Sequence, residues 1–274
     1  MRGVVVLLLL LTVLPAAAQQ SPADGPRQNT FDLILDTYVR DGFVYYRALK
    51  LERARLDQYV IQLGATEVNR LPRDAQLAFW LNAYNALVLR TVIDRYPILG
   101  ASANYPKQSI RQIPGAFDRL PHNVAGRVLT LDQIEQTMLA EFHDPRVNLA
   151  IGRGAVGGGR LRSEAFTPER LQEQLAAVAA ECVNRSECVR VDPDANTLAV
   201  SPVFSWREKD FVAAYGSAAP AIFAERSPLE RAVLAFVGPR LLTAEREALG
   251  KNTFRLIYLP FDWSLNDLTG RGGR

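Results

Sequence analysis

The chain has 274 residues, and its 32 basic and 29 acidic side chains leave a formal net charge of +3 at pH 7. This near-balance argues against a nucleic-acid-binding protein, which would carry a clustered basic face. The length is sufficient for one large domain with a substantial core. Only two histidines and two cysteines are present, which limits the metal sites and the thiol chemistry that the chain could support.

The first 18 residues have the order of a cleavable secretory signal. Arg2 gives a positive start, an apolar run interrupted only by Thr12 extends from 4 to 14, and three alanines at 16–18 supply the small residues of a cleavage site. The run is shorter than the roughly 20 apolar residues that a membrane-spanning helix needs. We therefore predict an extracytoplasmic protein, periplasmic or secreted, with a signal peptide at 1–18 and no membrane span after cleavage.

The rest of the chain is predicted to form a flexible leader at 19–30, one domain at 31–266 and a flexible tail at 267–274. Helical spacing of apolar residues predicts helices at 31–39 and 49–63, on either side of a short aromatic strand at 43–46. A longer helix is predicted at 72–96, because Pro72 suits the first turn and Pro97 ends the pattern. Its segment 78–89 is apolar on all sides, which predicts burial.

Two amides stand out within this buried segment. Asn82 and Asn85 are three residues apart, so their side chains lie on one face of the helix. A buried amide without a partner costs about 1–3 kcal/mol, so each should bind the backbone or another polar group.

The second half of the chain is also predicted to contain both helices and strands. We predict a hairpin at 124–130, a helix that Thr130 caps, a strand at 146–151 and a helix starting at Thr167 and ending near 181. A strand pair at 189–191 and 198–200, helices near 208–214, 228–236 and 243–249, and a last strand at 254–259 follow. The predicted fold is α+β, with helices around a small mixed or antiparallel sheet.

A glycine-rich segment at 153–160 follows the predicted strand. Together with Arg153, Arg160 and Arg162 it could hold an anion through backbone amides and guanidinium groups. The next predicted helix begins too far along for a P-loop, and the Gly-Lys-Ser/Thr ending is absent. A tight crossing of the backbone or a flexible loop is the alternative reading.

Cys182 and Cys188 enclose a short polar turn, and an oxidising compartment would allow a disulfide between them. A catalytic pair usually has the spacing Cys-X-X-Cys, so we predict a structural bridge. His122 and His143 form no His-Glu-X-X-His pattern, and no Gly-X-Ser-X-Gly elbow is present. We therefore predict no bound metal and no cofactor.

Six segments occur in an order that resembles the domain of unknown function 547 (DUF547) family. The most distinctive is Leu-Ala-Phe-Trp-Leu-Asn-Ala-Tyr-Asn-Ala at 77–86. The others are 126–135, 144–150, 162–167, 200–206 and 261–266, so the resemblance extends over roughly 31–266. It also favours a papain-like or transglutaminase-like arrangement within the α+β class.

The resemblance implies three polar points: a His after an Ile-Glu pair, a His after Asp-Pro-Arg, and a Cys-Gly before a Ser/Cys-Pro segment. A Cys and a His converging there would suit thiol chemistry, which is our hypothesis for the family. This chain has Gln136, Asn148 and Arg153 at these points, with glycines at 157–159. Amides and a guanidinium group cannot replace a thiolate and an imidazole. The sequence therefore predicts a pseudoenzyme.

Such a protein would bind a polar or anionic ligand, a peptide or a partner protein at the former pocket. The candidate ligand-binding residues are Asn82, Asn85, Gln136, Asn148, Arg153 and Arg162. An alternative is that these amides only satisfy the core. A further alternative is a hydrolase or transferase with an unidentified catalytic group, for which a carboxylate such as Glu135 is a candidate.

Overall fold

The computed structural model describes residues 30–269. The predicted signal peptide, nearly all of the predicted leader and the last five residues of the tail lie outside these residues. Helices predominate, and the strands form three small sheets, so the α+β prediction is confirmed. None of the helices within 30–269 combines the length and the apolar character that crossing a membrane requires.

The first half of the fold is built mainly from helices that pack on one long central helix. Its helices are α1 (Thr30–Tyr38), α2 (Tyr46–Leu51), α3 (Ala54–Ala65), α4 (Arg73–Arg95), α5 (Leu131–Gln133) and α6 (Val147–Ala150). Its strands are β1 (Val39–Arg40), β2 (Phe43–Val44), β3 (His122–Val124) and β4 (Arg127–Leu129), which pair as two antiparallel ribbons.

The second half contributes the only three-stranded sheet among the described residues. Its helices are α7 (Leu171–Val183), α8 (Val203–Trp206), α9 (Glu208–Tyr215), α10 (Pro228–Val237) and α11 (Thr243–Gly250). Its strands are β5 (Val189–Asp192), β6 (Thr197–Val200) and β7 (Arg255–Tyr258). β6 is central, antiparallel to β5 and parallel to β7, so the sheet is mixed.

The central helix α4 has the predicted extent, within one residue at each end. Pro72 stands at its N-cap, where a missing amide hydrogen costs nothing, and Pro97 follows the residue that ends it. Its side chains from Leu77 to Ile93 are almost all buried, as an apolar surface on all sides requires.

Two predicted elements near the N-terminal end differ from the structure. The strand predicted at 43–46 stops at Val44, because Tyr46 begins α2 and is fully buried. The helix predicted at 49–63 is divided into α2 and α3, with Glu52 closing the first. Leu56 and Leu63 of α3 are nevertheless buried, on the apolar side of the predicted helix.

The strand predicted at 146–151 is wrong, because this segment forms the helix α6. Asp144 explains the difference: its carbonyl oxygen accepts from the Val147 amide, and its Oδ1 accepts from the Arg146 amide at 3.0 Å. These bonds start a helical turn. The helix predicted from Thr167 starts only at Leu171, because the Thr167 amide donates to Gln174 Oε1 instead.

An end-to-end contact joins the N-terminal ribbon to the chain near Asn266. The Val44 amide donates to the Asn266 carbonyl, and the Leu268 amide donates to the Val44 carbonyl. The buried Tyr46 hydroxyl donates to Asn266 Oδ1 at 2.8 Å, across 220 residues of sequence. Asp267, predicted as the start of the tail, accepts a hydrogen bond from Tyr96.

Candidate functional site

A buried ion pair between Arg153 and Glu135 lies at the centre of the region that the sequence singled out. Arg153 Nη2 lies 2.5 Å from Glu135 Oε1, and the two residues are 3% and 8% exposed. Tyr84, from α4, donates its hydroxyl to Glu135 Oε2 at 3.2 Å. Arg153 Nη1 also donates to the Asn148 carbonyl. Both carboxylate oxygens of Glu135 are therefore occupied.

The local backbone is unusual at both partners of this pair. Glu135 lies in a π-helical segment, Ile134–Met138, that continues α5, and such segments are frequent at functional sites. Arg153 has φ +29°, in the left-handed region that costs a non-glycine residue about 1–3 kcal/mol. Gly154 follows at φ +62°, where a Cβ would also crowd Val88. The buried contacts of Arg153 hold this turn in place.

Arg153 and Tyr84, the two titratable groups that contact Glu135, both keep their protons. Burial alone would lower the pKa of Arg153, but the negative charge of Glu135 and the hydrogen bond to it raise this pKa above its usual value. Burial raises the pKa of Tyr84 well above 10, and Glu135 raises it further. Arg153 stays protonated and Tyr84 stays neutral at every physiological pH.

Trp206 covers this network on the surface side. The Arg153 guanidinium carbon lies 5.5 Å from the Trp206 ring centroid, yet the indole is 44% exposed. The ring packs against Phe261 at 4.9 Å and stacks near-parallel to Trp263 at 6.5 Å. Next to it, Arg207 Nη1 donates to Gln136 Oε1 at 3.1 Å. Aromatic and amide groups thus share one face.

An open cavity of about 740 Å³ adjoins this face. It is lined by residues of α8 and α9, among them Trp206, Arg207 and Asp210. Arg207 is neutralised there by Asp210, with Nη2 and Oδ2 2.9 Å apart. The cavity therefore offers hydrogen-bonding groups and an indole ring, with the charge of Arg207 already compensated.

Three of the six predicted ligand-binding residues come together, although they do so in different ways. Arg153 contacts the Asn148 backbone, and Gln136 follows Glu135 in sequence and reaches Arg207 beside Trp206. The Asn148 side chain is buried and donates to the Pro145 carbonyl at 3.4 Å.

The two asparagines of α4 bind backbone groups of neighbouring segments. Asn82 donates to the Phe166 carbonyl and accepts from the Phe166 amide, at 2.8 and 2.9 Å. Asn85 bridges the Ala150 carbonyl and the Gly152 amide in the same manner. Each amide thus forms two bonds to the backbone of a neighbouring segment, as the core-satisfying alternative requires. Asn85 thereby positions the turn that carries Arg153.

Arg162 belongs to a separate charged cluster. Its guanidinium group pairs with Glu164 at 2.6 Å and with Glu181 at 2.7 Å. Arg170 also pairs with Glu164, and Arg160 pairs with Asp41. The arginines near the glycine-rich segment are therefore directed to carboxylates of the protein.

The glycine-rich segment itself is a close crossing of backbones. A Cβ on Gly159 would lie 2.1 Å from the Leu149 carbonyl oxygen, so any side chain there would force the backbone to move. The disulfide between Cys182 and Cys188 lies beside this crossing, and both cysteines and Gly159 line one narrow cleft. The disulfide prediction is thus confirmed.

One carboxylate near the pair has a perturbed acidity. Burial raises the pKa of Asp132, and the negative charge of Glu135 raises it further, while Arg111 and Arg153 oppose the change. Within residues 30–269, no group of three or more His, Cys, Asp or Glu side chains could hold a metal ion.

Comparison with known proteins finds a family model that matches part of this region. Residues 68–183 match the model of DUF547, a protein family of unknown function. The resemblance is thus confirmed over α4 to α7, which include Tyr84, Glu135 and Arg153. No curated protein and no solved structure matches the chain. The papain-like arrangement stays a prediction.

Sequence reasoning misses the partners of Arg153. Tyr84 was read only as part of an apolar helix, and Trp206 only as part of a family motif. Glu135 was considered as a carboxylate but not as the partner of Arg153, 18 residues away. One general rule points to such a partner in the sequence: a charged residue that becomes buried needs a residue of opposite charge beside it.

Proposed function

We propose that this protein is an exported, non-catalytic member of the DUF547 family that binds a polar ligand at the Trp206 face. The single observation that carries the proposal is the 44% exposed indole of Trp206, held on an aromatic cluster beside Gln136 and Arg207. The disulfide supports export, because such bridges persist in oxidising compartments.

The loss of catalysis rests on Arg153. The resemblance implies a thiol at this position, whereas the guanidinium group is buried and neutralised by Glu135. A permanently protonated group can neither attack a carbonyl nor accept a proton. Gln136 and Asn148, at the expected histidine positions, lack a titratable group as well.

The chemistry of the face favours a neutral polar ligand over an anion. Both guanidinium groups near Trp206 already have carboxylate partners, Arg153 with Glu135 and Arg207 with Asp210, and the two other charged residues of the lining, Glu208 and Lys209, have opposite signs. An exposed indole flanked by hydrogen-bonding groups suits a ligand with an apolar face and polar edges. We therefore propose a sugar, in preference to a peptide carboxylate.

The test is a glycan-array screen of the purified protein, followed by isothermal titration calorimetry with the strongest oligosaccharide. Trp206→Ala should abolish binding, because the stacking surface is removed. Tyr258→Ala is the matched control, since Tyr258 is also 44% exposed and lies on β7. Equal losses in both variants, or no glycan bound by the wild-type protein, would refute the proposal.

The raised pKa of Asp132 favours a second candidate, a hydrolase that uses this carboxyl as a general acid. Chromogenic glycosides and esters would be incubated with the wild-type protein, Asp132→Asn and the surface control Asp194→Asn. Turnover that is lost only in Asp132→Asn would establish this candidate. No turnover of any substrate would exclude it for these two classes.

A further inference from the structure

A second groove is lined by residues other than those around Trp206. It has a volume of about 880 Å³ and is enclosed by α3, the C-terminal part of α4 and the β3–β4 hairpin. Small-molecule pockets usually measure about 300–1,000 Å³, so the groove has the size of a ligand site. None of its lining residues belongs to the cavity beside Trp206.

Two polar atoms in the wall of this groove are buried and lack a partner among the described residues. They are the Thr91 hydroxyl oxygen, on a residue that is 3% exposed, and Nε2 of His122. Buried polar atoms are nearly always hydrogen-bonded, so these two exceptions, one on α4 and one on β3, indicate a site whose hydrogen bonding is incomplete. Burial lowers the pKa of His122, and Arg90 lowers it further, so the imidazole is neutral at pH 7.

The groove also carries uncompensated positive charge. Arg90 is neutralised by Asp57 and Asp94, at 2.9 and 3.1 Å. Arg95 on α4 and Arg127 on β4 are both exposed, and neither forms an ion pair with any described residue. Arg127 donates only to the Met138 sulfur. Two guanidinium groups on different walls are thus available to an anion.

Apolar side chains lie beside these charges. Ile61 of α3 and Val128 of β4 are 74% and 65% exposed, and Val60 and Leu120 contribute to the same lining. Large aliphatic groups exposed on both sides of a polar groove provide a surface for the apolar part of a ligand. The lining therefore combines an anion-binding part with an apolar part.

We propose that this groove binds a small organic anion that has an apolar body. The anionic oxygens contact Arg95 and Arg127, and the apolar body packs between Ile61 and Val128. Thr91 and His122 lie in the lining, and rotation of either side chain on binding brings its unpartnered, now inaccessible polar atom within reach of the polar atoms of the ligand. This site is independent of the sugar-binding function proposed for the Trp206 face.

The test is isothermal titration calorimetry at pH 7 with octanoate as the probe. Saturable binding is expected, and Arg95→Ala/Arg127→Ala should weaken it at least tenfold. The matched control is Arg190→Ala/Arg255→Ala, which removes two exposed arginines from β5 and β7 and should leave the Kd within twofold. Thermal melting verifies that both variants are folded.

Two further probes test the contributions of the apolar body and of the charge separately. Acetate lacks the apolar body and 1-octanol lacks the charge, so both should bind at least tenfold more weakly than octanoate. Trp206→Ala should bind octanoate like the wild-type protein, which keeps the two sites distinguishable. The proposal is overturned if the wild-type protein does not bind octanoate saturably. It is also overturned if 1-octanol binds equally well, or if the control variant or Trp206→Ala loses binding as the groove variant does.

Discussion

Replacing Arg153 with methionine is expected to destabilise the fold by about 3–5 kcal/mol. The guanidinium group is 3% exposed, and its removal leaves the Glu135 carboxylate buried with only the Tyr84 hydroxyl as a partner. Glu135→Leu should cost a similar amount, because it leaves the charge of Arg153 buried. The length of methionine keeps most of the apolar contact of Arg153, so the loss reports charge and hydrogen bonding.

The double variant Glu135→Leu/Arg153→Met should cost far less than the sum of the two single changes. Replacing both members of a buried ion pair with apolar groups is often neutral or stabilising. The remaining penalty is the Tyr84 hydroxyl, which loses its acceptor and costs about 1–3 kcal/mol. Adding Tyr84→Phe to the double variant should therefore restore stability.

Urea denaturation followed by tryptophan fluorescence measures each of these variants as a change in the free energy of unfolding. The two single variants, the double and the triple form a cycle that isolates the coupling between Arg153 and Glu135. Single variants within about 1 kcal/mol of the wild-type protein, or a double variant that costs the full sum, would refute the reasoning.

Three further predictions concern other parts of the fold. Gly159→Ala should lower the unfolding free energy by at least about 2 kcal/mol, because its Cβ would overlap a carbonyl oxygen. The control is Gly250→Ala, which has open space around the added Cβ and should be neutral in the same urea titration. Intact mass under non-reducing conditions should be lower by the two hydrogens of the Cys182–Cys188 bridge than after reduction, and two alkylatable thiols in the unreduced protein would contradict this. Burial holds the pKa of His122 in the folded protein below 6.5. Below that pH the unfolded chain therefore binds a proton that the folded chain does not. The unfolding free energy should consequently fall as the pH falls. His122→Gln should show a shallower fall between pH 7.5 and 4.5 in urea midpoints, and parallel curves would count against the argument.

The elements with a clear period or a clear cap could be predicted from the sequence. α4 was expected within one residue at each end, because an apolar segment between two prolines allows few other structures. The segment at 146–151 could not be assigned in this way, because a short apolar run fits a strand and a buried helix equally well. Hydrogen bonds that Asp144 accepts decide between them, and these bonds depend on three-dimensional geometry.

The candidate site, too, could be predicted from the sequence only in part. The family resemblance singles out Arg153 because it implies a different residue there, and the structure gives Arg153 contacts with Glu135 and the Asn148 carbonyl. Its partner Glu135 could not be found by spacing, because 18 residues separate them and the π-helical turn sets the direction of the carboxylate. The groove around Thr91 and His122 left no pattern in the sequence, since it forms between segments that are far apart in the chain.

The end-to-end contact affects the order in which this chain can fold. The Val44 backbone and the Tyr46 hydroxyl have their partners at Asn266 and Leu268, and β7 joins the sheet only beside β6. If the protein is exported as we propose, the chain crosses the membrane with its N-terminal end first. The N-terminal ribbon then emerges long before its partners, and the fold is completed only after almost the whole chain has crossed.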